Sequence, residues 1–243
     1  MNVMWNELKF GERTFYPEVR KLGEIAEVVF DKRFLANANM DMELYYMFRE
    51  VSRNEEDAKK IVERGLRYDI TIIPPNKLGV EFVKTAGHYH PCPPGSKLTY
   101  PEIYEVLEGE AHYLLQKREE EQGIERITDV VVVKAEAGDK VVIPPNYGHV
   151  TINPSDDAPL KMANWVARTF SSIYEPIKRR GGAAYFELTA GEFIKNELYG
   201  DVPEMRFLKP ADTRLKYLKL SRAEAMYELL REPEKLEFLV NPE

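Results

Sequence analysis

The stretch Thr85-Ala86-Gly87-His88-Tyr89-His90-Pro91 decides how the rest of this chain is read. On an extended strand residues i and i+2 face the same side. His88 and His90 therefore aim together, with Cα atoms about 7 Å apart at the usual strand rise. Two imidazoles at that spacing can converge on one metal ion. Glu102 opens the next extended run, and His149 follows the turn chemistry of residues 144–148. A barrel of strands can bring these three places to one interior point, which a single helix cannot do. Taken one at a time the members are ordinary: strand histidines at a surface, a carboxylate at a strand edge, a histidine flanking a turn. Their joint occurrence is the signal. His112 lies outside the pattern and reads as a structural or surface strand histidine.

Working outward, short apolar runs recur between turn residues. Residues 42–48 (MELYYMF), 68–73 (YDITII), 79–84 (GVEFVK), 103–107, 111–116, 130–134, 140–143, 149–153 and 161–168 all read as strands. Between them stand Pro74-Pro75, Glu108-Gly109, Ala137-Gly138-Asp139, Pro144-Pro145-Asn146 and Asn153-Pro154-Ser155-Asp156. Such spacing indicates a β-sandwich or barrel. The charged stretch 117–126 (KREEEQGIER) reads as an exposed hairpin tip. Two helices are expected. Residues 54–65 have Asn54 as cap, acids in the first turn, a stripe of Ala58, Ile61 and Val62, and Gly65 as stop. Residues 221–231 have Ser221 as N-cap, Glu224 three residues on, and Met226, Leu229 and Leu230 on one face. Residues 178–182 (KRRGG) read as a loop.

Composition narrows the function. The 243 residues carry a net charge of −7, which argues against nucleic acid as the main partner. The longest purely aliphatic run, residues 130–133, is far short of a membrane span, and residues 1–10 hold no signal-peptide apolar core. A cytoplasmic protein is expected. Cys92 is the only cysteine, which excludes an internal disulfide and any paired-cysteine metal knuckle; it reads as an ordinary loop residue.

The order G-H-x-H, then Glu102 with Gly109 beyond it, then P-x-x-x-x-H-x-x-x-N resembles the two-part cupin signature. The fuller match resembles the archaeal cupin-type glucose-6-phosphate isomerases. It rests on Thr71, TAGHYHP at 85–91, EIYEVLEG at 102–109 and PPNYGHVTIN at 144–153, and covers about residues 68–168. The resemblance implies a mainly all-β fold: a cupin double-stranded β-helix, or jelly-roll barrel, with N- and C-terminal extensions that include a few helices. The chain is read as one domain with its barrel core at about 68–168 and a C-terminal extension at about 170–243. The resemblance further implies an aldose–ketose isomerase acting on glucose 6-phosphate and fructose 6-phosphate. It assigns His88, His90, Glu102 and His149 as ligands of one divalent ion per subunit, with iron first and nickel, manganese or zinc as alternatives. Glu102 would be the proton-shuttling base and Tyr104 an active-site tyrosine, while Thr71, Thr85 and the Gly87 backbone would hold the phosphate. Trp165 and Tyr174 are the nearest counterparts of later family aromatics, and Tyr174 is taken as substrate-binding. A homodimer is implied. The loop 92–101 is longer than in shorter members, and the basic residues 178–180 offer another place for the phosphate. A cupin dioxygenase and a non-catalytic sugar-binding cupin are the competing readings of the same donor set.

Overall fold

Three strands rich in β-branched and aromatic residues form the middle of the molecule, as their packing preferences dictate. Leu66–Ile73, Glu102–Glu108 and Leu160–Ala167 lie side by side, antiparallel, with Met162 opposite Thr71 on one flank and Val106 on the other. Lys140–Ile143 extends this sheet beyond Glu102–Glu108, while Glu43–Phe48 and then Glu18–Lys21 extend it on the other side, six strands in all. A second sheet faces it, in the order Tyr147–Ile152, Glu110–Glu121, Ile124–Glu136 and Arg206–Leu208. The computed structural model describes residues 5–121, 124–213, 218 and 220–242.

The segment 83–90 completes the second sheet. It lies against Tyr147–Ile152 through bridges from Lys84 to Ile152 and from His88 to His149. From Leu66–Ile73 to Leu160–Ala167 nearly every connection crosses between the sheets; the exception is the hairpin joining Glu110–Glu121 to Ile124–Glu136. This is jelly-roll topology, so the expected cupin barrel is the fold the chain adopts. Gly109 makes one of the crossings possible. Its φ is +80°, and a Cβ there would lie 2.4 Å from the Pro159 carbonyl oxygen.

Apolar layers hold the barrel between its sheets and on both outer sides. Between the sheets pack Val106, Tyr113, Leu115, Val131, Val133, Val141 and Met162. The outer face of the six-stranded sheet is covered as well. Tyr68, Ile70, Ile103 and Trp165 meet Met226, Leu229, Leu236 and Leu239 of the tail. Trp165 is fully buried, and its Nε1–H donates to the Met226 carbonyl at 3.0 Å. Because both faces are covered, these strands read as nearly continuous apolar runs rather than clean alternations.

The tail is the clearest correction to the sequence reading. Instead of an α-helix over 221–231, Met226–Arg231 and Pro233–Leu239 are 3-10 turns. Only half of the expected capping box forms, the Ser221 N–H donating to Glu224 at 2.9 Å. The reason is tertiary: the Met226 N–H goes to the Glu105 carboxylate at 2.8 Å and its carbonyl to Trp165. Smaller differences have similar causes. The early helix is Glu55–Glu63, capped by Asn54 as expected, but Val62 is 46% exposed and Ile61 alone is buried. Residues 79–84 hold only the two-residue strand Glu81–Phe82. The hairpin read at 117–126 does form, with Glu121 opposite Ile124; Gln122 and Gly123 lie outside the described residues. In the segment 178–182, Lys178 ends a short helix, Glu175–Lys178.

Candidate metal centre and substrate pocket

Strand register places the site. Across the six-stranded sheet Val166 lies opposite both Glu102 and Arg67, and Asn164 opposite both Tyr104 and Asp69. Alternation then puts Glu102, Tyr104, Val106, Asn164, Thr71, Asp69 and Arg67 on the interior side of their strands. From the facing sheet His88 and His149 sit directly across from each other. The His88 N–H donates to the His149 carbonyl at 3.2 Å and the reverse bond measures 3.0 Å. Just before this pair Gly87 takes φ +75°, and a Cβ there would lie 2.6 Å from Val150 Cγ2, so the chain enters the site through a position only glycine fits.

The four side chains read from the sequence meet. The donor atoms of His88, His90, Glu102 and His149 all lie within 4.8 Å of one another. His88 Nε2 is 3.2 Å from His90 Nε2, and Glu102 Oε2 is 3.3 Å from His149 Nε2 and 3.5 Å from His90 Nε2. Ligands at about 2.1 Å from one ion stand about 3 Å apart when adjacent and about 4.2 Å apart when opposite. The cluster matches that scale closely.

Its electrostatics fit a cation too. Burial, reinforced by the neighbouring imidazoles, pushes His88 well below the usual histidine range. Burial likewise carries His90 down to about 4, against the opposing pull of Glu102. Both rings are thus neutral, the form that binds metal. The His90 Nδ1 lies 2.8 Å from the Tyr100 carbonyl, which can only accept; Nδ1 therefore carries the proton and Nε2 turns its lone pair to the cluster. For Glu102, burial raises the pKa, yet His149, His90 and Tyr104 outweigh it and the carboxyl is held below its ordinary value. Glu102 Oε2 is buried with no hydrogen-bond partner in the midst of these lone pairs. A buried acceptor left so is costly, and a bound cation is what would satisfy it. The Tyr104 hydroxyl is 3.2 Å from His149 Nε2, and burial followed by the Glu102 charge drives its pKa well up, so it stays protonated.

The cluster lines a cavity together with Thr71, Thr85, Gly87, Asn164 and Tyr174. Thr85 Oγ1 accepts from the Thr151 N–H at 3.0 Å, which fixes the hydroxyl and leaves its proton to donate. Phe170 stacks on Tyr100 at 4.8 Å and sits 4.5 Å from the His90 ring, while Tyr174 lies 5.5 Å from the His88 ring.

Some expected participants lie elsewhere. Trp165 points to the outer core, because its strand alternates and Val166, not Trp165, faces the barrel interior. The basic residues 178–180 do not line the pocket: Lys178 pairs with Glu27 at 3.5 Å, Arg179 with Glu125 at 3.6 Å, and Arg180 donates to the Leu198 carbonyl. Cys92 is free and exposed. His112 is buried between Glu187 at 2.7 Å and Glu110 at 3.0 Å, a structural role. Sequence reasoning missed Arg49, Arg67 and Asn164, all of which line the cavity. For Arg67 a signal existed: stepping back by two from Thr71 gives Asp69 and Arg67 on the same face.

A sequence model of the family described as glucose-6-phosphate isomerase (GPI) matches residues 19–204. The glucose-6-phosphate isomerase of Thermococcus litoralis is 32% identical over 134 residues, covering 48% of this chain and 60% of that protein. That of Pyrococcus abyssi is 34% identical over 132 residues, covering 54% of this chain and 61% of the relative. That of Thermococcus onnurineus is 27% identical over 163 residues, covering 67% and 76%. The matched stretch thus spans less than two thirds of the length of the first of these relatives. Among solved structures, oxalate decarboxylase from Bacillus subtilis superposes with a TM-score of 0.34 at 17% identity, over 58% of this chain and 30% of that one. Hazelnut vicilin superposes with a TM-score of 0.35 at 12% identity, over 65% and 31%.

Proposed function

The chain belongs to the glucose-6-phosphate isomerase family, and from that membership we propose that it interconverts glucose 6-phosphate and fructose 6-phosphate as a metal-dependent aldose–ketose isomerase of glycolysis and gluconeogenesis. The observation that carries this reading is the meeting of four metal-donor side chains with arginine and threonine side chains in one pocket. A divalent cation held by His88, His90, Glu102 and His149 would supply electrophilic polarisation of two adjacent sugar oxygens.

The chain's own residues do the rest. Glu102, ionised at neutral pH, takes the proton from one sugar carbon and returns it to the neighbouring one. Its depressed pKa makes it a weak base, so placement rather than basicity carries the rate. Tyr104, kept protonated, positions the His149 ring and the Glu102 carboxylate. The Thr71 and Thr85 hydroxyls and the Gly87 N–H, which line the cavity, hold the phosphate. Tyr174 packs against the sugar, and with Phe170 it keeps water from the donor cluster.

Iron is the ion we favour, with nickel, manganese and zinc the alternatives the mixed nitrogen–oxygen donor set also accepts. A homodimer and a cytoplasmic location belong to the same reading; among the described residues no helix is long and apolar enough to cross a membrane.

The test is a coupled assay of fructose 6-phosphate turnover, with elemental analysis of the wild type and the His88→Ala/His90→Ala variant. The expected result is turnover in the wild type and loss of both metal and activity in the variant. Stoichiometric metal retained by the variant would sink the ligand assignment. Oxygen consumption without isomerisation would point to oxygenase chemistry instead.

A further inference from the structure

We infer that the chain carries a second anion site: a cavity beside the metal pocket, lined by Arg13, Arg49, Arg67 and Arg168, that takes a phosphate or phosphate-monoester dianion. The cavity has a volume of about 250 Å³. Phe15, Ile61 and Val62 give it an apolar side, and among the described residues Glu50 is the one carboxylate lining it. In a chain of net charge −7, four guanidiniums around one cavity stand against the background.

The arginines are held so that donors remain open. Asp69 is fully buried and organises two of them. Its Oδ2 accepts from Arg49 Nη1 and from Arg67 Nε, each at 2.8 Å. Its Oδ1 accepts from the Glu50 N–H at 2.9 Å, which holds Glu50 at φ +55°. Non-glycine residues rarely adopt that conformation, and it persists where the surroundings over-determine it. One carboxylate thus serves two guanidiniums. The other acid near Arg49 is Glu18, 3.8 Å away and 70% exposed. Among the described residues Arg49 Nη2 meets only the Met47 sulfur, a weak acceptor, at 3.0 Å. Among the described residues the Nη groups of Arg67 make no hydrogen bond. Arg13 is held by Ser52 and by Glu55, whose side chain is 77% exposed, and Arg168 by Glu50 at 2.9 Å. All four cations are arginine, the residue whose planar fork matches an oxyanion two bonds at a time.

Arg49 and Arg67 also line the metal pocket. An anion in the second cavity therefore draws on guanidiniums that face the substrate, and the two ligands oppose each other. This antagonism rests on the isomerase reading; binding of the anion does not.

The experiment is calorimetric titration of the metal-loaded protein with inorganic phosphate. Saturable binding is expected, weakened about tenfold or more by Arg13→Ala and by Arg168→Ala and still present in Thr85→Val. Arg168→Lys should restore part of the affinity, since lysine keeps the charge without the fork. Unchanged thermal midpoints and metal content show that the variants are folded, and with two independent arginines the failure of one variant to fold leaves the other to decide. Absence of saturable binding up to roughly 10 mM overturns the inference. So does binding that ignores Arg13 and Arg168 but is lost in Thr85→Val, which would put the phosphate in the metal pocket.

Discussion

Replacing Glu105 by alanine should loosen the C-terminal tail while leaving the metal centre loaded. Glu105 sits between Tyr104 and Val106 and so faces away from Glu102, into the outer core. One carboxylate oxygen lies 3.0 Å from Lys140 Nζ, and the other accepts the Met226 N–H at 2.8 Å. Both charged residues are buried, Lys140 completely. The Lys140 ammonium also donates to the carbonyls of Gly138, Ser221 and Arg222 at 2.9, 2.9 and 3.2 Å, which ties the tail to the barrel. Removing one partner of a buried ion pair costs about 3–5 kcal/mol, here toward the lower end because three carbonyls remain. The orphaned Met226 N–H adds about 1–3 kcal/mol. The sum is about 4–6 kcal/mol, and at roughly 2–4 °C per kcal/mol for a chain of this size the midpoint should fall by about 8–24 °C. Thermal denaturation followed by circular dichroism measures this, with elemental analysis alongside. Glu105→Leu/Lys140→Met should recover most of the loss, since a buried pair can be exchanged for apolar groups at little cost. A single-variant loss below about 1 kcal/mol would refute the reasoning, as would metal lost without any fall in midpoint.

Three further expectations concern the site and the tail. Glu102→Gln should keep metal appreciably while turnover drops about 10²–10⁴-fold, and recovery of activity at high metal concentration would reduce Glu102 to a ligand. Thr85→Val should raise KM for fructose 6-phosphate by roughly ten- to hundred-fold with metal content unchanged, the worth of one hydrogen bond to a charged phosphate; an unchanged KM would place the phosphate elsewhere. The Asp129 carboxyl is held below its ordinary 3.8, chiefly by the Arg206 guanidinium and also by the Tyr147 hydroxyl, with burial opposing. Its contribution is therefore fully present above the unfolded value and lost as pH falls through the folded one. The midpoint difference between wild type and Asp129→Asn should be constant from about pH 5 to 8 and vanish on acidification below about pH 4, and a difference that grows on acidification would contradict it.

The candidate centre was legible because its signal is local. His88 and His90 share a strand face, and Glu102, Tyr104 and Val106 follow the same period of two, so the direction of each side chain is written into its own short stretch. The barrel was legible for a related reason: the turn residues punctuate the strands at the places where the chain crosses between sheets, as at Gly109. Trp165 shows where a resemblance misleads and alternation corrects, since its neighbour Val166 owns the interior side.

What the sequence by itself determined was most of the barrel strands between residues 66 and 167, the faces they bury and the four donors that meet. Only the tertiary structure decided how the tail folds and which charges gather. Residues 221–231 carry helical signals, yet a glutamate on one strand and a tryptophan on another claim the backbone of Met226 before a regular helix can. Arg13, Arg49, Arg67 and Arg168 come from four separate stretches, and nothing local to any of them announces the others. Periodicity records where a side chain points, because that follows from backbone geometry. Which distant group it meets depends on register and crossing, and these are fixed only when the whole barrel closes.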